Sequence, residues 1–144
     1  MKNARGRIVC IAATASLLFA AVPVFGASWT ADADGDWTDD GNWDTTHPDG
    51  ATAVAEFDND ITATRTNTLD ADITLNRLSF VTDPHGDYRL ERSAAETLTM
   101  DGDSPQIEVY VNFDNRSNMR QPVINVPVVF DNQDGTDAAT IQSV

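Results

Sequence analysis

Ile73-Thr74-Leu75-Asn76-Arg77-Leu78-Ser79-Phe80 alternates apolar and polar residues, but not in a single phase. The apolar side chains fall on odd numbers through Leu75 and on even numbers at Leu78 and Phe80. A straight strand cannot change phase without turning its apolar face to water. A corner or a bulge at Asn76-Arg77 resolves the conflict. Turning corners within one layer is the habit of a β-helix. A bulged strand of a β-sandwich also complies.

The same period of two recurs on both sides. Ala51, Ala53, Ala55 and Phe57 share one face, and Leu69, Ala71, Ile73 and Leu75 share another. Tyr88 and Leu90, Leu98 and Met100, and Ile107, Val109 and Val111 follow in the same manner. Ile124, Val126, Val128 and Phe130 make the longest apolar face. Such alternation marks half-buried strands, and no stretch carries a helical period. Asp34-Gly35, Asp49-Gly50, His85-Gly86, Asp101-Gly102 and Asp134-Gly135 punctuate the runs as turns, with Pro48, Pro84 and Pro105 as further breaks. Pro127 inside the last run argues against a central antiparallel strand. The expectation is an all-β chain: a right-handed parallel β-helix, with a β-sandwich as the alternative.

The N-terminus reads differently. Lys2, Arg5 and Arg7 precede an apolar run from Ile8 to Phe19, and small residues follow at Val24, Gly26 and Ala27. This is the three-part pattern of a secretory signal peptide. The run is shorter than the roughly 20 residues a membrane span needs. Residues 1–26 are read as the signal and 27–144 as the β-solenoid region, with a mature N-terminus at Ala27 or Ser28. The single cysteine, Cys10, lies inside the apolar run, so the mature chain forms no disulfide and no thiolate metal site. The expected location is secreted or at the cell surface, with no membrane partner after cleavage.

Charge narrows the partners. The whole chain carries −14, with 23 acidic and nine basic residues. Without Lys2, Arg5 and Arg7, six arginines face all 23 acidic residues, a net charge of −17. Such a surface repels nucleic acid and anionic lipid. Aspartate outnumbers glutamate 19 to 4, which suits turns. Adaptation to a salty medium, where self-repulsion is screened, is a second reading of the same count.

The chain resembles the N-terminal part of the autotransporter-associated β-strand repeat proteins of planctomycete- and verrucomicrobia-type bacteria. The resemblance rests on Ser28-Trp29-Thr30, Asp36-Trp37-Thr38, Gly41-Asn42-Trp43, Pro48, Ala55-Glu56-Phe57 and the run from Ile73 to Phe80. It continues through Tyr88-Arg89-Leu90, Leu98-Thr99-Met100, Ile107-Glu108-Val109 and Ile124-Asn125-Val126-Pro127-Val128. It implies a right-handed parallel β-helix outside the cell, a structural or adhesive role, and no catalytic residues. Glycine-rich repeats and an anchoring segment, expected of that family, are not found before Val144, so the chain reads as a fragment of a longer scaffold.

Candidate site residues are few. Trp29, Trp37 and Trp43 fall within fifteen residues. Buried, they would cap the first layer of a solenoid, which has no neighbour; exposed, they would stack on sugar rings. Asp32, Asp34 and Asp36 place carboxylates at alternate positions, a weak Ca²⁺ candidate. An EF-hand loop starting at Asp32 fails, because residues 37 and 43 are tryptophans where glycine and glutamate belong. His47 and His85 are the only histidines, and neither Ser79 nor Ser104 sits in a nucleophile-elbow motif. Arg89, Arg92, Arg116 and Arg120 read as surface groups, and Asn115-Arg116-Ser117 as a sequon without meaning in a bacterial protein. No catalysis and no cofactor beyond weak Ca²⁺ are expected. Partners are polysaccharide or cell-surface components, and a second copy joined through an open C-terminal layer. There residues 138–144 are expected to add a strand.

Overall fold

The computed structural model describes residues 26–82, 86–111, 121–131 and 141–143. The signal segment up to residue 25 with Cys10, His85, Arg116, Arg120, the Asn115 sequon, Asp134-Gly135 and residues 138–140 lie outside the described residues.

Among the described residues twelve short strands follow one another, interrupted by a single 3-10 turn at Asp40–Asn42. The first two are β1 (Gly26–Ser28) and β2 (Gly35–Asp36). Then come β3 (Val54–Phe57), β4 (Arg65–Leu69) and β5 (Ile73–Leu75). They are followed by β6 (Arg77–Thr82), β7 (Tyr88–Arg92) and β8 (Leu98–Asp101). The last are β9 (Gln106–Val111), β10 (Val123–Ile124), β11 (Val128–Asp131) and β12 (Ile141–Ser143).

The strands sort into three sheets. Sheet 1 has the order β1-β3-β6-β9-β12, sheet 2 the order β10-β7-β4-β2, and sheet 3 the order β11-β8-β5. Every strand pair is parallel. From β3 onward each strand pairs with the one three places on, so the chain visits the sheets in turn and returns one strand further along. The antiparallel ladders that define a β-sandwich are absent among the described strands.

The corner expected at Asn76-Arg77 separates β5 in sheet 3 from β6 in sheet 1. Both Asn76 and Arg77 donate their backbone N–H to Ala53 O, at 2.8 and 3.2 Å, which fastens this corner to the previous one. Two other runs behave differently from their alternation. Leu69–Leu75 keeps one phase, yet it is two strands in two sheets, β4 and β5, with a corner at Asp70–Asp72. Ile124–Phe130 likewise divides into β10 and β11, with buried Val126 at the turn and Pro127 just after it. Period two survives when a corner takes an odd number of residues, so alternation alone conceals it.

The parallel register stacks like on like. Ala27, Ala55, Leu78 and Ile107 occupy one inward column of sheet 1. Ile73 and Leu98, then Leu75 and Met100, do the same in sheet 3. These side chains form one apolar core with the tryptophans, Phe57, Phe80 and Tyr88. One polar residue interrupts it. Asn67, in the sheet 2 column between Gly35 and Leu90, is 1% exposed, and neither its Oδ1 nor its Nδ2 has a hydrogen-bond partner among the described residues. A buried unpaired amide costs about 1–3 kcal/mol. Asn67→Leu, of similar shape, is therefore expected to raise the urea unfolding free energy by about 1–2 kcal/mol. A variant less stable than the parent would refute this account of Asn67.

Candidate functional site: the tryptophan-lined end

β1, β2 and β5 are the outermost strands at one end of the three sheets. Parallel edges present unpaired N–H and C=O groups and invite added strands. Here each is covered by the chain itself. Asn42–Asp44 runs antiparallel against β1, bridging Trp29 to Trp43. Thr30 N–H donates to Asn42 O at 2.8 Å, Asp44 N–H to Ser28 O at 2.9 Å, and Ser28 N–H to the Asp44 carboxylate at 2.9 Å. Asn42 Nδ2 donates to Asp36 O in β2 at 2.9 Å. On β5, Thr74 O accepts Gly50 N–H at 2.7 Å, and Thr74 N–H donates to Asp49 Oδ1 at 2.9 Å.

The tryptophans sit beneath this strap. Trp29 and Trp37 are fully buried and Trp43 nearly so. Trp43 meets Trp29 edge-on at 5.2 Å and Trp37 at 4.8 Å between ring centroids. All three lie within 6.0 Å of Phe57, which stacks in turn on Phe80 at 5.0 Å. Each indole N–H has an acceptor: Ala31 O, Pro48 O and Trp37 O, at 2.8, 3.0 and 2.8 Å. Aromatic bodies fill the open end while their polar edges are satisfied. Sugar stacking on Trp29, Trp37 and Trp43 requires exposed ring faces, and these faces are buried.

The aspartates serve a purpose that the sequence did not disclose. Asp32 accepts the Thr62 N–H at 3.1 Å, the Thr62 hydroxyl at 2.8 Å and Arg65 Nε at 2.7 Å. Asp34 accepts Thr66 N–H at 2.7 Å, and Asp72 accepts Thr97 N–H at 2.8 Å. Asp70 takes both the N–H and the hydroxyl of Thr38. With Asp49, these carboxylates tie a corner of one layer to the strand edge of the next. The signal was an aspartate with a threonine 25 to 32 positions away in sequence.

The weak Ca²⁺ site expected at Asp32, Asp34 and Asp36 draws on two of these carboxylates, Asp32 and Asp34. Asp32 and Asp34 accept the N–H groups of Thr62 and Thr66, and the backbone carbonyl of Asp36 accepts Asn42 Nδ2. No group of three acidic, histidine or cysteine side chains among the described residues is arranged to hold a metal ion. His47 Nδ1 lies 2.6 Å from Asp40 Oδ1, which also accepts the His47 backbone N–H at 2.9 Å. Among the described residues Ser104 receives Gln106 Nε2 at 3.4 Å, and neither Ser79 nor Ser104 bonds to His47. Among the described residues no helix is long and apolar enough to cross a membrane.

The Arg65 guanidinium, then the hydroxyl and N–H of Thr62, hold the Asp32 carboxyl at about 2, against an ordinary 3.8. The His47 N–H and ring likewise depress Asp40. A carboxyl whose folded pKa is depressed contributes stability above its unfolded pKa, and that contribution disappears as pH falls through the folded value. The thermal midpoint is thus expected to fall between about pH 4 and pH 2, and Asp32→Asn to flatten part of that fall. An unchanged profile in Asp32→Asn would contradict the assignment.

Comparison with family models, with curated proteins and with solved structures returns no match for this chain.

Proposed function

We propose that this chain is a non-catalytic structural or adhesive protein of the cell surface or exterior: the N-terminal, closed end of a β-strand repeat scaffold. The observation that carries the reading is the asymmetry of the strand edges. β1, β2 and β5 are covered by a strap and by aspartate side chains. At the opposite end no described segment covers β10, β11 or β12. Closed at one end, the fold would accept further layers only at the other. The three sheets are then the sides of a parallel β-helix. Its hand is right, because parallel crossovers returning to one sheet are right-handed in about 98% of cases. The signal-like N-terminus supports export, and the resemblance to the autotransporter-associated repeat proteins supports the scaffold role.

The test is association through the open end. β10, β11 and β12 are the last strands of their sheets among the described residues, so an added layer would pair along their backbone edges. Repulsion between strongly acidic chains opposes it and salt screens that repulsion. Sedimentation velocity should show a monomer at low salt and concentration-dependent assembly in about 1 M salt, where the Debye length is about 3 Å. A monomer under every condition would count against an open end.

A further inference from the structure

The outward face of sheet 1 carries a cleft that the capped end does not use. Register places Glu56, Ser79 and Glu108 in one outward column across β3, β6 and β9. Val81 and Tyr110 form the next column, and Asp58 follows the end of β3. Arg77 flanks the first column, its Nη2 donating to Glu56 Oε1 at 2.9 Å and its Nε lying 4.0 Å from Glu108 Oε2. These seven residues line an open cleft of about 220 Å³. Strand spacing gives its floor a footprint of about 10 Å by 7 Å.

Several groups there are not committed. Ser79 is 7% exposed, and its hydroxyl makes no hydrogen bond among the described residues. Among the described residues Arg77 spends one of its N–H groups in a hydrogen bond; its Nε is buried without a hydrogen-bond partner, and the side chain as a whole is 39% exposed. Tyr110 donates its phenol proton to Glu108 Oε2 at 2.8 Å, which fixes a ring that remains 44% exposed. The cleft thus offers carboxylate acceptors, guanidinium and hydroxyl donors, and one aromatic plate.

That inventory selects among ligands. A bare ammonium would confront Arg77 and leave its donors and Ser79 unmatched. An acidic sugar would face three carboxylates. Adjacent hydroxyls on a ring both donate and accept, and a sugar's C–H face suits an aromatic plate. The volume lies below the roughly 300–1,000 Å³ of drug-sized pockets, which fits a single sugar unit. We infer that the outward face of sheet 1 binds one uncharged sugar unit, stacked on Tyr110, with hydroxyls shared among Glu56, Glu108, Ser79 and Arg77. The inference rests on the adhesive reading above and supplies its ligand class.

The experiment is isothermal titration of the full chain with cellotriose, triacetylchitotriose and maltotriose, and with trigalacturonate and spermidine as charged comparators. At least one neutral trisaccharide should saturate the site. Tyr110→Ala should weaken that binding about tenfold, the worth of one aromatic contact. Tyr110→Phe should keep it within about threefold, and Ser79→Ala should weaken it about threefold to tenfold, the range of one hydrogen bond. Thermal midpoints of the variants report whether they remain folded. No binding by any neutral sugar, tighter binding of a charged comparator, or undiminished binding by folded Tyr110→Ala would each overturn the inference. Salt-driven assembly that persists without sugar binding would overturn this inference alone and leave the scaffold reading standing.

Discussion

Trp37→Ala is expected to lower the urea unfolding free energy by about 4 kcal/mol, within the 3–5 kcal/mol range for a buried tryptophan. Trp37 is fully buried and packs against Trp43 and Phe57. Its indole N–H is the donor to Pro48 O, at 3.0 Å inside the core. Alanine would open a cavity and orphan that carbonyl at once. Trp37→Phe should cost less, because it fills most of the space and loses only the hydrogen bond. A loss below about 1 kcal/mol for alanine would mean that the end is not held by its aromatic cap.

Gly102→Ala should cost about 3 kcal/mol, from backbone strain together with overpacking. Gly102 has φ +115°, a conformation that side chains with a Cβ rarely adopt. An added Cβ would also stand 2.3 Å from Ala51 O and 2.7 Å from Asn76 Oδ1. Gly50 is the natural control. Its φ is +133°, and nothing lies within 4 Å of an added Cβ. Gly50→Ala should therefore cost only the strain, about 1 kcal/mol. Equal losses in equilibrium denaturation would show that the contact between the Gly102 corner and the Ala51 corner is not formed.

The local geometry was largely legible, because alternation and turn dipeptides are written in neighbouring residues. The change of phase at Asn76 located a true corner between sheets. The corner at Asp70–Asp72 was hidden, since Leu69 and Ile73 point inward in the same phase on both sides of it. Strand partnership was harder still. Successive members of one register column are Ala27, Ala55, Leu78, Ile107 and Ile141, a spacing that runs from 23 to 34 residues. No fixed period advertises the layers. For the same reason Glu56, Ser79 and Glu108 give no hint in the chain that they stand in one column. The tryptophan cluster was visible as a density of large side chains, whereas the strap over β1 depends on the backbone of Asn42–Asp44. Asp32, Asp34 and Asp36 looked like ligands because alternate carboxylates do. The threonines and arginine that claim Asp32 and Asp34 are about 30 positions away, in the next layer.

The central claim is the parallel stacking of layers, and sheet 3 allows it to be read most directly. Thr74, Thr99 and Val129 occupy one outward column on β5, β8 and β11. Thr74 and Val129 are thus two strands apart, about 10 Å at the usual strand spacing. The decisive measurement is the continuous-wave electron spin resonance spectrum of a Thr74→Cys, Val129→Cys chain expressed without Cys10 and carrying a nitroxide at each site. The stacking predicts strong dipolar broadening in the double-labelled chain, absent from either single label. Narrow, uncoupled lines at both positions would contradict it.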